Sequence, residues 1–289
     1  MTGSPRSPVR PPAVAGGFYP EDAVDLTKLL ESCFTGRRGP GSLPSRQRGA
    51  ERRIRAAVVP HAGYVYSGAI AAHAYHAIAA ERPPGSVLVL GVNHRARGAP
   101  AALSDRPWET PLGVLPVDLE LLRALSRGPI TVDNAAHASE HSIEVQLPFL
   151  QYVLPQPKFV ALSLSFGTLA FLTDVAAVVR RALRGRDVLL ISSTDFSHYI
   201  PAEEAERQDR KAIRQILELS SEGLYRTVMD EDISMCGVAP TTVLLELLTG
   251  EPLAARLLRW GHSGETETMR EVVGYASLLL ESPGPIGPA

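Results

Sequence analysis

Three short apolar runs in this chain each lead into a histidine within a few residues. The runs cover 54–59, 87–90 and 188–191, and the histidines that follow them are His61, His94 and His198. Short runs rich in leucine and β-branched residues are typical of strands that are buried on both faces of a parallel sheet. Open α/β sheets bind their ligands beyond the carboxyl ends of the strands. The sequence therefore predicts that the three histidines meet at one site.

Strand-like and helix-like segments alternate along most of the chain, which indicates an α/β fold. Helices are predicted over 22–34, 68–80, 118–125, 139–150, 169–183, 202–219, 222–230 and 241–248. Further strands are predicted over 159–164, 253–260 and 272–280, and the last two are expected to form an antiparallel edge pair. A length of 289 residues is enough for one large core. We predict a single domain over 11–281 with a mixed, mainly parallel sheet flanked by helices, between disordered tails at 1–10 and 282–289.

The charge of the chain gives no indication of a nucleic-acid partner. The formal net charge is −2. The segment 35–53 is the most basic stretch, with arginines among glycine, proline and serine residues: Arg37, Arg38, Arg46, Arg48, Arg52 and Arg53. No aromatic residue interleaves these arginines to stack on bases. We interpret the segment as an exposed, solubilising loop and predict no nucleic-acid binding.

Cysteine content and hydropathy indicate the cellular compartment in which the protein is expected. Cys33 and Cys236 are the only cysteines, so the chain could form one disulfide at most. The stretch 1–18 contains no apolar signal core. No apolar run approaches the ~20 residues of a membrane helix. The expectation is a cytoplasmic protein in a reducing setting with no membrane partner.

The residues around the histidines favour a functional site. Pro60 ends the first strand and Gly63 permits a tight turn that presents His61. Asp195 and His198 lie three residues apart after the third strand, so that one turn could aim both at the same point as an acid/base pair. The alternative for this segment is that Asp195 caps a helix and His198 is exposed.

Cys236 is a possible fourth member of the site. It lies shortly before Pro240, which is expected to open the helix 241–248, and a helix N-terminus favours the thiolate. A buried, inert cysteine is the alternative. Two imidazoles with a carboxylate suit Fe(II), whereas two imidazoles with a thiolate favour copper or zinc. Both donor sets are available here.

A second motif competes for the metal. His137, Glu140 and His141 match the H-x-x-E-H pattern of one class of zinc proteases. Ser139 is a plausible N-cap, however, and this places His137 outside the helix that would have to present both histidines. Glu144 follows His141 by about one turn, so that the two could line a pocket together, or could lie on a solvated helix face.

Seven ordered segments of the chain together resemble one known family. They are Ala15-Gly16-Gly17-Phe18-Tyr19-Pro20, Pro60-His61-Ala62-Gly63-Tyr64, Gly91-Val92-Asn93-His94, Trp108-Glu109-Thr110-Pro111-Leu112-Gly113, Glu140-His141-Ser142-Ile143-Glu144, Asp195-Phe196-Ser197-His198 and Met235-Cys236-Gly237. This set resembles the Memo family, which includes the animal mediator of cell motility and the prokaryotic AmmeMemoRadiSam system protein B.

The resemblance implies a fold like that of the class III extradiol dioxygenases, with a metal pocket at one end of the sheet. It implies His61, His94 and Cys236 as metal ligands and Asp195 with His198 as the groups that complete the pocket. The remaining residues expected in or beside the pocket are Tyr64, Asn93, His141 and Glu144. The dioxygenases use a glutamate where this chain has Cys236, so the resemblance does not carry ring cleavage over.

Taken together, these features predict a metal-binding protein with redox chemistry. Iron or copper is the expected cofactor, dioxygen the expected oxidant, and His198, oriented by Asp195, the expected proton carrier. The alternative is a binding module that has lost catalysis and recognises a small molecule, a peptide or a protein. The resemblance implies an AMMECR-type protein and a radical S-adenosylmethionine enzyme as possible partners.

Overall fold

The structure is a computed structural model that describes residues 8–45 and 49–286. Its helices are α1 Ala23–Thr35, α2 Tyr64–Ala79, α3 Leu119–Leu125, α4 Leu147–Val153, α5 Leu169–Ala182, α6 Ala202–Leu217, α7 Ser221–Asp230 and α8 Val238–Leu248. Its strands are β1 Ile54–Val59, β2 Ser86–Val92, β3 Ala101–Leu103, β4 Trp108–Thr110, β5 Gly113–Leu115, β6 Thr131–Val132, β7 Phe159–Leu164, β8 Val188–Ser193, β9 His198–Ile200, β10 Ala254–His262 and β11 Val272–Glu281. No helix among these residues is both long enough and apolar enough to cross a bilayer.

One large sheet organises the molecule. Its strand order is β10-β11-β1-β8-β2-β7-β3-β6, and β9 pairs with β11. The central strands β1, β8, β2 and β7 are parallel, whereas β11 runs antiparallel to both β1 and β10. Ser192 of β8 lies opposite Val58 of β1 and Leu90 of β2, so that the three carboxyl ends are level. The predicted single-domain α/β fold, with a mixed, mainly parallel sheet flanked by helices, is confirmed.

The central strands are apolar throughout because helices cover both faces of the sheet. Alternate residues of the strands, such as Val58 and Leu90, pack into a cluster with α5 and α8. Their neighbours, such as Val59 and Val89, pack into a second cluster with α1, α2 and α4. Successive strand residues point to opposite faces. Burial on both sides therefore requires the continuous apolar runs seen in the sequence.

The predicted helix over 139–150 is wrong in its first half. A loop precedes a short 3₁₀ turn at Glu144–Gln146, and α4 begins at Leu147 with Pro148 in its first turn. Ser142 is withdrawn from helix formation because its hydroxyl accepts from the Val92 amide and donates to the Val92 carbonyl at the end of β2. A tertiary contact therefore overrides the local helical pattern.

Two other predicted elements differ in detail. The antiparallel pairing of the last two strands is confirmed, but only β10 lies at the sheet edge, because β11 also pairs with β1. Helix α8 begins at Val238, and Pro240 is its third residue instead of its first. Proline has no backbone N–H, but it is tolerated at this position because N–H groups in the first turn of a helix have no intrahelical partners.

Residues assigned to tails and to a solubilising loop are partly built into the fold. Arg10 is 4% exposed. Near the other terminus, the backbone amides of Ser282 and Ile286 donate to carbonyls of Arg53 and Arg52. Arg52 is itself buried and pairs with Asp187, since a buried guanidinium needs an anionic partner. The prediction of an exposed loop is therefore wrong at Arg52. Residues 1–7 and 287–289 of the predicted tails, and Arg46 and Arg48 of that loop, lie outside the described residues.

Candidate metal centre

Adjacent parallel strands deliver the central residues of the site. His61 follows β1 by two residues, His94 follows β2 by two, and Asp195 follows β8 by two. Because β8 lies between β1 and β2 in the sheet, these three residues emerge from neighbouring strand ends. The ring centroids of His61 and His94 are 5.2 Å apart. The convergence predicted for His61 and His94 is observed, and His198 lines the same cavity.

His141 is the third member of the cluster. Its ring stacks on that of His94 with a centroid distance of 4.6 Å, and it lies 5.4 Å from the ring of His61. Each of the three histidines offers a ring nitrogen, and these nitrogens all lie within 4.8 Å of one another. His141 was expected beside the metal from the sequence, but not as a ligand. The signal was present in the H-x-x-E-H pattern, which pointed to the wrong second histidine.

A chain of hydrogen bonds determines which nitrogen of the His61 ring carries the proton. The Ser193 hydroxyl donates to the Ser142 carbonyl at 2.6 Å and accepts from the Gln146 amide nitrogen at 2.7 Å. That nitrogen also contacts the carbonyl of Pro60, which can only accept. The Ser193 proton is thus already used, so Nδ1 of His61, 2.9 Å away, must donate. The lone pair of His61 is left on Nε2.

Glu140 lies beside the other two rings and hydrogen-bonds that of His94. Its Oε1 lies 2.9 Å from Nδ1 of His94 and 3.4 Å from Nδ1 of His141. Burial opposes ionisation of Glu140, but hydrogen bonds from His94 and the Ser142 amide outweigh it and lower its pKa to about 2. An ionised carboxylate only accepts, so the His94 ring carries its proton on Nδ1. Its Nε2 atom is free to bind a ligand.

The three rings fit a metal ion. Burial lowers the pKa of His61 well below its ordinary value, and repulsion from His141 and His94 adds to the effect. Burial likewise lowers the pKa of His141 to about 4, with His94 and Arg95 acting in the same direction. Neutral imidazoles whose other nitrogen donates to oxygen are the usual arrangement of histidine ligands. This donor set suits iron, copper or zinc.

Cys236 lies beside this group. Its Sγ is 3.2 Å from Nε2 of His61 and accepts a hydrogen bond from the Asp195 amide at 3.3 Å. Burial raises the pKa of the thiol, and the neighbouring Asp195 charge raises it further. The expected stabilisation of a thiolate by the helix N-terminus is therefore not found, because burial dominates. The assignment of Cys236 as a metal ligand stays a prediction.

Asp195, which was expected to orient His198, makes no hydrogen bond to it. Asp195 accepts from the backbone amide of His61 at 2.7 Å. Burial raises the pKa of Asp195 to about 6, although hydrogen bonds from the backbone of His61 and Ala62 oppose the shift. His198 is held by Ser234, whose carbonyl lies 2.7 Å from Nδ1. Because that carbonyl can only accept, the ring proton is on Nδ1 and Nε2 can take up a proton.

Three residues expected in or beside the pocket are hydrogen-bonded to the surrounding framework. Tyr64 donates to the Val145 carbonyl at 2.6 Å, and the Asn93 side chain donates to the Arg97 carbonyl at 2.8 Å. Glu144 is fully buried and accepts from Arg10 and from the Tyr19 hydroxyl. Glu144 does not share a face with His141, because the regular helix that would align them is absent.

His137 lies away from the metal group. It is buried, with Nε2 of its ring 3.0 Å from the Ala102 carbonyl. The ring packs edge-on against Trp108 at a centroid distance of 5.6 Å. The interpretation of His137 and His141 as a zinc-protease pair is wrong, since the two rings are held by different partners.

A cavity of about 530 Å³ opens above the three histidines. Aromatic, apolar, carboxylate and imidazole side chains line it, together with the turn after His61. The residues that line it are Phe18, His61, Ala62, Gly63, Tyr66, His94, His141, Asp195, His198, Tyr199, Ser263, Met269, Glu271, Val273 and Tyr275. The cavity can therefore hold a small ligand next to the three histidines.

The family model for Memo-like proteins matches residues 10–279. The chain belongs to the Memo family. A MEMO1 family protein of Methanothermobacter thermautotrophicus is 40% identical over 278 residues, which cover 93% of this chain and 99% of the relative. A MEMO1 family protein of Methanopyrus kandleri is 41% identical over 279 residues, covering 94% and 98%, respectively. The family resemblance seen in the sequence motifs is confirmed.

A solved structure shares the fold of this Memo-family chain. It is an uncharacterised protein from Escherichia coli K12, with a TM-score of 0.55 and 14% sequence identity. The match covers 78% of the present chain and 99% of the E. coli chain. At this identity the likeness concerns the fold alone.

Proposed function

We propose that this Memo-family protein is a metal-dependent oxidoreductase in which His61, His94 and His141 hold iron or copper. The observation that carries the proposal is the grouping of three imidazoles, two of which, His61 and His94, use Nδ1 to hydrogen-bond Ser193 and Glu140. Hydrogen bonds of this kind orient the rings and increase the basicity of Nε2. The Nε2 atoms of these rings are therefore already oriented to bind a metal ion.

The Cys236 thiol supports the choice of a redox metal. Imidazole nitrogens bind iron, copper and zinc, whereas a neighbouring sulfur donor adds a preference for copper in its reduced state. Cys236 Sγ lies 3.2 Å from Nε2 of His61 and is close enough to join the same ion. When bound, such a metal supplies one-electron exchange with dioxygen or with a reduced substrate.

The other residues of the cavity bind the ligand and handle protons. His198 lines the cavity with its proton held on Nδ1 by Ser234, so Nε2 can accept a proton from a ligand hydroxyl or thiol. Asp195 lines the same cavity and orients the backbone of His61. The aromatic side chains limit the access of water to the three histidines.

Metal binding is tested with protein purified without oxygen and loaded with Fe(II), Cu(I) or Zn(II). Each of His61→Ala, His94→Ala and His141→Ala should reduce the bound metal, measured by elemental analysis after desalting. His76→Ala is the matched control, because His76 hydrogen-bonds Ser42 outside the cavity, and it should keep its metal. Cys236→Ala decides whether the thiol is a further ligand. Full metal retention in the three cavity variants would exclude the site.

Redox activity is tested with an oxygen electrode, with catechol or dithiothreitol as the electron donor. The iron- or copper-loaded protein should consume oxygen, and His198→Ala should slow consumption while the metal content is unchanged. A loaded protein that consumes no oxygen with either donor would rule out the oxidoreductase and favour the non-catalytic binding module. Stable binding of zinc, with no binding of iron or copper, would also rule out the oxidoreductase.

A further inference from the structure

The cavity above the histidines has an unbalanced charge. Among the described residues that line it there is no lysine or arginine, but two carboxylates are present, Asp195 and Glu271. Aromatic rings form much of the remaining wall: Phe18, Tyr66, Tyr199 and Tyr275. Aromatic faces and carboxylates both attract cations.

Tyr199 is held over the opening at a conformational cost. Its φ is +56°, in the left-handed region that a bulky side chain rarely adopts, and the residue is 72% exposed. The backbone is fixed on both sides of it, because His198 pairs with Val273 and Ile200 pairs with Val272. Strain that the surrounding structure maintains is typical of residues that contact ligands. A large apolar ring is thereby kept at the surface of the cavity.

Glu271 lines the same cavity as Tyr199. It directly precedes Val272, the partner of Ile200, so that the pairing of β9 with β11 brings Tyr199 and Glu271 to the same stretch of the opening. Glu271 is exposed, and its carboxylate makes no hydrogen bond or ion pair with any residue in 8–45 or 49–286. The charge is available to a ligand.

We propose that the opening of the cavity binds an organic ammonium or quaternary ammonium group, with Tyr66, Tyr199 and Glu271 as its contacts. The rest of the ligand then extends towards the histidines. An organic cation would then be the class of ligand on which the oxidoreductase proposed above acts. This step rests on that proposed function. Cation–π attraction to the tyrosine faces and charge pairing with Glu271 provide the selectivity.

A divalent metal at the histidines does not prevent such binding. The buried carboxylate of Glu140 lies directly behind His94 and His141 and offsets part of the metal charge. The groups that favour a cation, Tyr199 and Glu271, are exposed, whereas His61 is 1% exposed. The cation therefore binds at the outer end of the cavity and leaves the inner end to an uncharged or anionic part of the ligand.

The test compares three probes of nearly equal size and different charge. They are choline, its neutral isostere 3,3-dimethylbutan-1-ol, and the anion 3,3-dimethylbutanoate. Affinities are measured by isothermal titration calorimetry on metal-free and metal-loaded full-length protein. Choline should bind roughly tenfold more tightly than the alcohol, and the carboxylate should bind least tightly to the metal-free protein.

Variants locate the binding position. Glu271→Gln and Tyr199→Ala should each reduce the affinity for choline by roughly five- to tenfold and leave the affinity for the alcohol nearly unchanged. Glu267→Gln is the matched control, because Glu267 is an exposed carboxylate of the same segment that does not line the cavity. Circular dichroism confirms that each variant is folded.

The outcomes separate this proposal from the proposed function. Choline binding no tighter than that of the alcohol, or unaffected by both cavity variants, would overturn the cation site. Selective choline binding by a protein that takes up no iron or copper would keep the cation site and overturn the oxidoreductase. Oxygen consumption by the iron- or copper-loaded protein, without selectivity for choline, would keep the oxidoreductase and overturn the cation site.

Discussion

Arg10 donates a 2.6 Å hydrogen bond to Glu144, which is 134 residues away along the chain, and both side chains are almost completely buried. The same guanidinium donates to the carbonyls of His137 and Glu140 and lies 3.8 Å above the ring of Trp108. Arg10 therefore ties the N-terminal segment to the loop that carries Glu140 and the candidate ligand His141.

Loss of the Arg10 charge should destabilise the protein strongly. Arg10→Met leaves the Glu144 carboxylate buried without a cation, and we expect the free energy of unfolding to fall by about 3–5 kcal/mol. Urea denaturation followed by circular dichroism measures the change. Arg256→Met is the control, because Arg256 pairs with Glu281 at the surface with 57% of its side chain exposed, and this change should cost less than about 1 kcal/mol. Equal losses in the two variants would contradict the assignment.

Glu140 should control metal affinity without binding the metal itself. Glu140→Gln keeps the shape of the side chain but removes the negative charge behind His94 and His141. Removal of such a partner typically lowers metal affinity by roughly 10- to 100-fold. Competition with a chromophoric chelator measures the dissociation constant. Glu204→Gln, on the exposed side of α6, should leave it unchanged, and a Glu140→Gln affinity within about twofold of wild type would refute the role.

Stability should fall with decreasing pH through His137. Burial lowers the pKa of His137 to about 4, and the Arg10 charge acts in the same direction against the hydrogen bond to Ala102. The unfolded chain has a histidine pKa of about 6.5 and binds the proton more readily, so stability is full above that pH and is lost as the pH falls from 6.5 towards 4. The loss from this residue is about 3 kcal/mol.

His137→Gln removes the titrating group and retains a donor for the Ala102 carbonyl. Denaturation midpoints measured at intervals between pH 7 and pH 4 should show a shallower decline for this variant than for wild type. Parallel declines would show that His137 does not carry the expected proton uptake.

Gly91 should tolerate no side chain. It lies in β2, where an added Cβ would be 2.8 Å from Ser142 Oγ and closer still to Ile143 Cγ1. Gly91→Ala should therefore displace the 142–143 loop, lower the free energy of unfolding by about 1–3 kcal/mol and weaken metal binding through the adjoining His141. Gly284→Ala is the control, since nothing lies within 4 Å of a Cβ there. Unchanged stability in Gly91→Ala would contradict this close approach.

Much of the fold was predictable because the central strands are buried on both faces. Segments such as 54–59 and 188–191 carry an uninterrupted apolar signal that surface strands lack, and the structure places them as β1 and β8. The meeting of His61 and His94 followed from that arrangement, since parallel strands end at the same edge of a sheet. At these positions the local apolar pattern was sufficient to predict the strands.

The loop over 137–143 was not predictable in the same way. A helix was predicted over 139–150, with Ser139 as its N-cap. Ser142, however, is bound to the end of β2 and Glu140 to His94. Val92 and His94, the partners of this loop, are distant in the sequence. The local sequence pattern therefore cannot indicate these contacts. The assignment of His141 to the metal group and of Ser234 as the partner of His198 depended on such long-range contacts.

The sequence by itself determined the α/β class, the Memo-family membership and the strand ends at which chemistry is possible, because hydrophobic periodicity and ordered motifs are local properties. Only the tertiary structure decided which side chains share the site, which ring nitrogen of each histidine is free and which charges are compensated. Those properties depend on hydrogen bonds between distant segments, such as Ser193 with His61 and Arg10 with Glu144, and on the burial that makes each of them necessary.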